Sequence, residues 1–159
     1  MRSVFCILLL ILSQTASADE LQFIISGITY HIGEDRDLNE TNYGFGLQYD
    51  FEPNQRWIPL VNFASFKDSN EHTSKYLGAG MKRRFILTPG PQGIKFEAGA
   101  AALVMTRQTY RNGKPFIGAL PFVSLSNNWG GINATYVPKM KDEMQAFWYF
   151  QFSLKLATY

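Results

Sequence analysis

The sequence predicts an all-β protein, an eight-stranded antiparallel up-and-down transmembrane barrel. Three observations carry that prediction. Apolar residues recur with a period of two. The segments that show this period number eight and run about ten residues each. The connectors between them alternate between long, charged loops and short turns. An aromatic content of 15% adds to the case, because such barrels carry aromatic girdles at both membrane interfaces.

The clearest alternation is Tyr43-Gly-Phe-Gly-Leu-Gln-Tyr-Asp-Phe51. Tyr43, Phe45, Leu47, Tyr49 and Phe51 share one face, and Gly44, Gly46, Gln48 and Asp50 share the other. That is a strand between two different environments. From Ile94 to Val104 the pattern repeats, with Ile94, Phe96, Ala98, Ala100, Ala102 and Val104 on one face. In the first strand His31, Thr29, Gly27 and Ile25 fall on one parity, while Tyr30, Ile28 and Ile24 fall on the other, which reads as the lipid face. Turn residues delimit strands over approximately 21–32, 42–51, 56–66, 75–87, 93–105, 116–126, 130–137 and 145–157. Alternation does not say which face is inside. A secreted soluble barrel has the same period with its apolar face inward.

The chain has 159 residues, enough for one domain. Residues 1–18 read as a secretory signal peptide: Met1-Arg2-Ser3, an apolar run from Val4 to Leu12, and Ala16-Ser17-Ala18 before the cleavage point. Residues 19–159 are the barrel domain. The only cysteine, Cys6, lies in the signal, so the mature chain has neither a disulfide nor a thiol nucleophile. The formal net charge of +2 and the lack of a basic stripe argue against nucleic acid as a partner. No spacing of ligand residues suggests a metal, and no cofactor is expected.

With the amino-terminal end of the first strand at the periplasm, the four long loops share one rim. His31 then stands at the same end as Asp68 and Ser69 of the loop Ser65-Phe-Lys-Asp-Ser-Asn-Glu-His72. A serine hydroxyl needs a base within hydrogen-bond reach, and the base needs an orienting group. Asp68 and Ser69 are neighbours, so both do not easily converge on one imidazole. His31 is the expected general base, with Asp68 and Ser69 around it. Ser, Asp and Asn are also common turn formers, so the local reading of this loop is a turn. His72 is expected to be solvated. The rim cations Arg107, Arg111, Lys114, Lys139 and Lys141 read first as ordinary solvated loop charges and second as phosphate contacts. Glu34, Asp35, Asp37 and Glu40 make the first loop acidic.

These motifs resemble one family. Ile28-Thr29-Tyr30-His31 is similar to the Ile-Thr-Trp-His of the outer-membrane lipid A palmitoyltransferases (PagP), and Phe66-Lys67-Asp68-Ser69 to their Phe-Lys-Asp-Ser loop. Asp35-Arg36, Asn39-Glu40, Gly44-Phe45-Gly46-Leu47, Gly78-Ala79-Gly80, Leu120-Pro121, Thr135-Tyr136-Val137-Pro138 and Phe150-Gln151-Phe152 resemble further segments. The resemblance implies a monomeric outer-membrane barrel with an apolar interior and a rim facing the cell exterior. It implies transfer of a palmitoyl-type chain from a glycerophospholipid donor to lipid A. His31, Asp68 and Ser69 would be its catalytic residues, and Gly80 the floor of its acyl-chain pocket. The prolines in strand six and after strand seven would mark interrupted pairing that admits a lipid. The family's amino-terminal amphipathic helix has no counterpart here, since only Asp19 and Glu20 precede strand one. Two other readings share the pattern: a lipid A deacylase or phospholipase using water, and a non-catalytic barrel.

Overall fold

The structure is a computed structural model and describes residues 19–33, 38–139 and 146–158. The signal-peptide expectation, Glu34, Asp35, Asp37, Lys141 and Tyr159 lie outside them. Eight strands follow in chain order: β1 (Glu20–His31), β2 (Thr41–Asp50), β3 (Trp57–Lys67), β4 (Thr73–Ile86), β5 (Lys95–Thr106), β6 (Phe116–Ser126), β7 (Gly130–Val137) and β8 (Phe147–Thr158). Each pairs antiparallel with its sequence neighbour, and β8 closes onto β1. The up-and-down barrel expected from the alternation is the fold observed, with strand ends within two residues of the expected ones.

The faces decide between the two kinds of barrel. Large apolar side chains point outward: Ile28, Phe45, Leu47, Leu77, Val104 and Ile117 are among the exposed ones. Tyr30, Tyr43 and Trp148 stand near one end of this surface, and Trp57, Phe85 and Trp129 near the other. Gln22, Ser26, Gln48, Asp50, Lys82, Glu97, Ser124, Gln151 and Ser153 are buried inside. Apolar outside and polar inside, with aromatic girdles, is the arrangement of a barrel set in lipid.

One parity differs from the sequence reading. The β1 register shifts between Ser26 and Ile28 against both β2 and β8. This bulge at Gly27 swaps the faces. Below it Glu20, Gln22, Ile24 and Ser26 point inward, and above it Thr29 does. Ile24 is therefore an interior residue, 2% exposed, and Ile25 faces outward. His31 keeps the inward parity expected for it, because it lies on the same side of the bulge as Thr29.

The interior is not uniformly apolar, as the resemblance implied. The half nearer the short turns is ionic. Lys82 lies between Asp50 (2.6 Å) and Glu97 (2.7 Å), Arg84 pairs with Glu97 (2.5 Å) and Lys155 with Glu20 (2.7 Å). Gln22 and Gln48 donate to Asp50 at 2.9 Å. Three cations thus face three carboxylates. The mutual charge and the amide donors offset the desolvation that each group alone would suffer. The half nearer the long loops is lined mainly by Phe66, Tyr76, Leu103, Met105, Phe116, Leu120 and Phe122.

Candidate active site

The long-loop end positions the expected residues through ordinary strand and turn chemistry. Thr29 and His31 leave the top of β1 on the same inward parity. The Thr29 hydroxyl donates to the Asn42 carboxamide of β2, and Asn42 Nδ2 donates to the Lys67 carbonyl at 2.9 Å. These two contacts tie β1, β2 and the end of β3 together beneath the loop. Asp68 then organises residues 68–72 as an Asx-type turn. Its Oδ1 accepts from the backbone N–H groups of Asn70 (3.0 Å) and His72 (3.1 Å). Its backbone N–H donates to the His72 carbonyl at 2.9 Å, and Glu71, at φ 63°, donates to the Asp68 carbonyl at 2.8 Å. Asp68 Oδ2 accepts the Ser74 hydroxyl at 2.9 Å. The turn reading of this loop is thus met by the Asp68 carboxylate.

That turn brings Ser69 over the mouth of the barrel. Ser69 Oγ stands 3.2 Å from His31 Nε2, within reach of proton exchange between hydroxyl and imidazole. The Ser69 carbonyl accepts from Asn39 N–H at 3.2 Å, which anchors the loop to the start of β2. Asp68 and Ser69 are buried, whereas His72 is exposed, as expected. Phe147 of β8 flanks the His31 ring with centroids 5.5 Å apart.

Arg107 departs from its first reading as a solvated rim charge. Its side chain is 12% exposed and its Nε lies 3.7 Å from Asp68 Oδ2. The guanidinium also sits over the Phe147 ring at 5.9 Å, and its Nε donates to Thr109 Oγ1 at 3.2 Å. Burial pushes its pKa below the usual value, while the Asp68 charge opposes that shift. Ser74 and Asn42 were not singled out as site residues in the sequence. Ser74 falls in the expected loop; in the structure it belongs to β4 and is buried on the same face as Tyr76. Arg111, Lys114 and Lys139 remain exposed.

Below His31 and Ser69 a cavity runs into the apolar half. Thr29, Asp68, Ser69, Ser74 and Arg107 line its upper part. Its walls are Phe66, Leu103, Met105, Phe116, Leu120, Phe122 and Val137. Gly80 faces the interior without lining the cavity, whereas Ala101, its cross-strand partner on β5, does line it. A Cβ on Gly80 would stand 2.4 Å from the Ala100 carbonyl oxygen and 2.8 Å from Ala101. The barrel wall is open beside the cavity. β6 and β7 pair only from Phe122↔Thr135 to Ser126↔Gly131, although the strands continue to Phe116 and Val137. Pro121, which has no N–H for β7, stands at the point where pairing stops.

The family model described as "Antimicrobial peptide resistance and lipid A acylation protein PagP" matches residues 11–152. The chain belongs to the PagP family. A PagP relative from Legionella pneumophila, named lipid A acyltransferase PagP, is 32% identical over 111 residues. That match covers 69% of this chain, and the chain spans 57% of the relative. Two solved structures of the Yersinia pestis outer membrane protein Ail also align. The form in a phospholipid bilayer nanodisc gives a TM-score of 0.47 at 16% identity, covering 86% of this chain and 99% of Ail. The crystal form gives 0.42 at 16%, covering 89% and 100%. PagP membership and the outward apolar belt together make this an outer-membrane β-barrel.

Proposed function

We propose that this PagP-family barrel transfers an acyl chain from a glycerophospholipid to lipid A. The contact of Ser69 Oγ with His31 Nε2 at 3.2 Å, above an apolar cavity with a lateral opening, carries the reading. An acyl chain in the cavity would place its ester carbonyl level with these polar groups. His31 takes the proton from the acceptor hydroxyl as that oxygen attacks the carbonyl carbon. A tetrahedral intermediate forms. It collapses by breaking the bond to the glycerol oxygen, which receives the proton from His31. One ester bond forms, one breaks, and a lysophospholipid leaves.

Asp68 keeps Ser69 in place through the turn that its own carboxylate organises, and Ser69 orients the imidazole. This arrangement supports direct transfer rather than a covalent acyl-serine, since Asp68 is engaged by loop amides and Ser74. Arg107 supplies positive charge beside the reacting carbonyl. Gly80 keeps β4 and β5 close at the level of the pocket floor. The long-loop rim faces the cell exterior, where lipid A lies, and the barrel acts as a monomer.

Mass spectrometry of lipid A from cells with the intact gene and with His31→Ala tests the reading. The intact gene adds one acyl mass and the variant does not. A fall in lipid A mass with the intact gene would instead show the hydrolase that uses water as acceptor. Unchanged mass in both strains would leave a non-catalytic barrel.

A further inference from the structure

Three cations follow one another in β4: Lys82, Arg83 and Arg84. Strand alternation turns the first and third inward, where Asp50 and Glu97 neutralise them. Arg83 falls on the other parity, with Leu77, Met81 and Phe85 on the lipid-facing wall. Its cross-strand partners are Trp57 on β3 and Ala98 on β5, and neither side chain offers an acceptor oxygen. The guanidinium lies over the rings of Trp57 and Phe85, 5.6 and 5.1 Å from their centroids. Its Nε is buried and has no hydrogen-bond partner. Among the described residues no carboxylate pairs with Arg83, whereas Lys82, Arg84, Arg107 and Lys155 each have one. Phe85, Ile86 and Leu87 continue the exposed apolar surface past Arg83 toward the short turn. Arg83 therefore stands inside the edge of the apolar belt. A cation at that depth is costly unless an anion meets it. The two rings attract the guanidinium but supply no oxygen for its N–H groups.

We propose that Arg83, framed by Trp57 and Phe85, is a headgroup site on the outer wall of the barrel. Its ligand is the phosphate of a glycerophospholipid in the leaflet at the short-turn end. None of the three side chains lines the cavity below His31, so the site is separate from the reacting centre and does not rest on the acyltransfer reading. Two phosphodiester oxygens match the planar donor fork of a guanidinium. With Nε buried, the two terminal nitrogens are the donors left to meet them. The occupant is a lipid rather than a soluble anion, because exposed apolar side chains, Met81 and Phe85, border the guanidinium on both sides along β4. From a phosphate held there, the acyl chains run along the apolar wall toward the long-loop end. The bound lipid stabilises the barrel in proportion to its occupancy.

The experiment titrates the folded mature barrel, in detergent micelles, with dioleoyl phosphatidylglycerol and counts retained lipid by native mass spectrometry. Only protein that shows heat-modifiable migration on gels is compared. The wild type should retain one lipid with saturable affinity. Arg83→Gln, which keeps a long polar side chain without the charge, should bind about tenfold more weakly, the scale of losing a hydrogen bond to a charged group. Arg83→Lys keeps the charge without the fork and should fall between the two. Lys75→Gln, on the same outward parity at the opposite end of β4, should bind as the wild type does. Equal affinity in the wild type and both Arg83 variants would overturn the proposal. So would a loss in Lys75→Gln as large as that in Arg83→Gln, because any cation on the wall would then serve. Glycerol 3-phosphate forms the second arm and should leave the lipid in place at equal concentration. Its displacing the lipid would overturn the lipid assignment in favour of a soluble phosphate.

Discussion

The two halves of this barrel's interior are built on opposite principles. The half beneath the short turns holds buried charges that neutralise one another, Lys82 between Asp50 and Glu97 with Arg84 alongside. Its described carboxylates, Glu20, Asp50 and Glu97, are each paired with a cation. The half beneath the long loops is mainly apolar and retains a cavity, with Thr29, Asp68, Ser69, Ser74 and Arg107 at its mouth. The lower half holds strands together through charge; the upper half leaves space and places a few groups where chemistry can occur. The contrast teaches that a small barrel can host a site because only one end is filled.

The largest expected effect belongs to the upper half. His31→Ala should lower acyl transfer by about 10²–10⁴-fold, the usual contribution of general acid–base catalysis, while heat-modifiable migration on gels shows an intact barrel. Retained activity would remove His31 from the site.

Lys82→Met should leave Asp50 and Glu97 buried without their shared cation. It should destabilise the barrel by about 3–5 kcal/mol, read from urea unfolding in vesicles. The fraction that remains folded should keep the wild-type chain preference. A changed preference would show that the halves are coupled.

Ala100 faces outward near the middle of β5. Arginine there should cost about 2–4 kcal/mol of folding stability, and a negligible cost would contradict the lipid-facing assignment. Ser69→Ala should reduce transfer by only about tenfold, because losing one hydrogen bond to the imidazole is worth about 1–1.5 kcal/mol. A loss as complete as that of His31→Ala would favour an acyl-serine. His72→Ala, an exposed loop substitution, should change neither transfer nor stability measurably, and a large loss would bring His72 into the mechanism.

Much of the fold was legible in the chain. The period of two, the eight segments and the alternation of loops gave the strand order, because antiparallel neighbours with short turns leave few other topologies. The parity of Ile24 was not legible. Gly27 marks a bulge only when the registers against β2 and β8 are both known. For the site, His31 and Ser69 could be placed at one rim by counting strands, but their 3.2 Å contact depends on the turn that Asp68 organises. Arg107 looked like any loop cation. Its proximity to Asp68 arises from the curvature that brings the ends of β3 and β5 over one mouth.

Local pattern therefore determined which residues alternate, where the chain turns and which short motifs carry hydroxyl, carboxylate and imidazole. Those are properties of neighbours in sequence, and a strand expresses them directly. Only the closed barrel decided which face met lipid, which interior half filled with ion pairs, and how deep the cavity runs. These depend on register and shear across eight strands, and each brings together residues far apart in the chain.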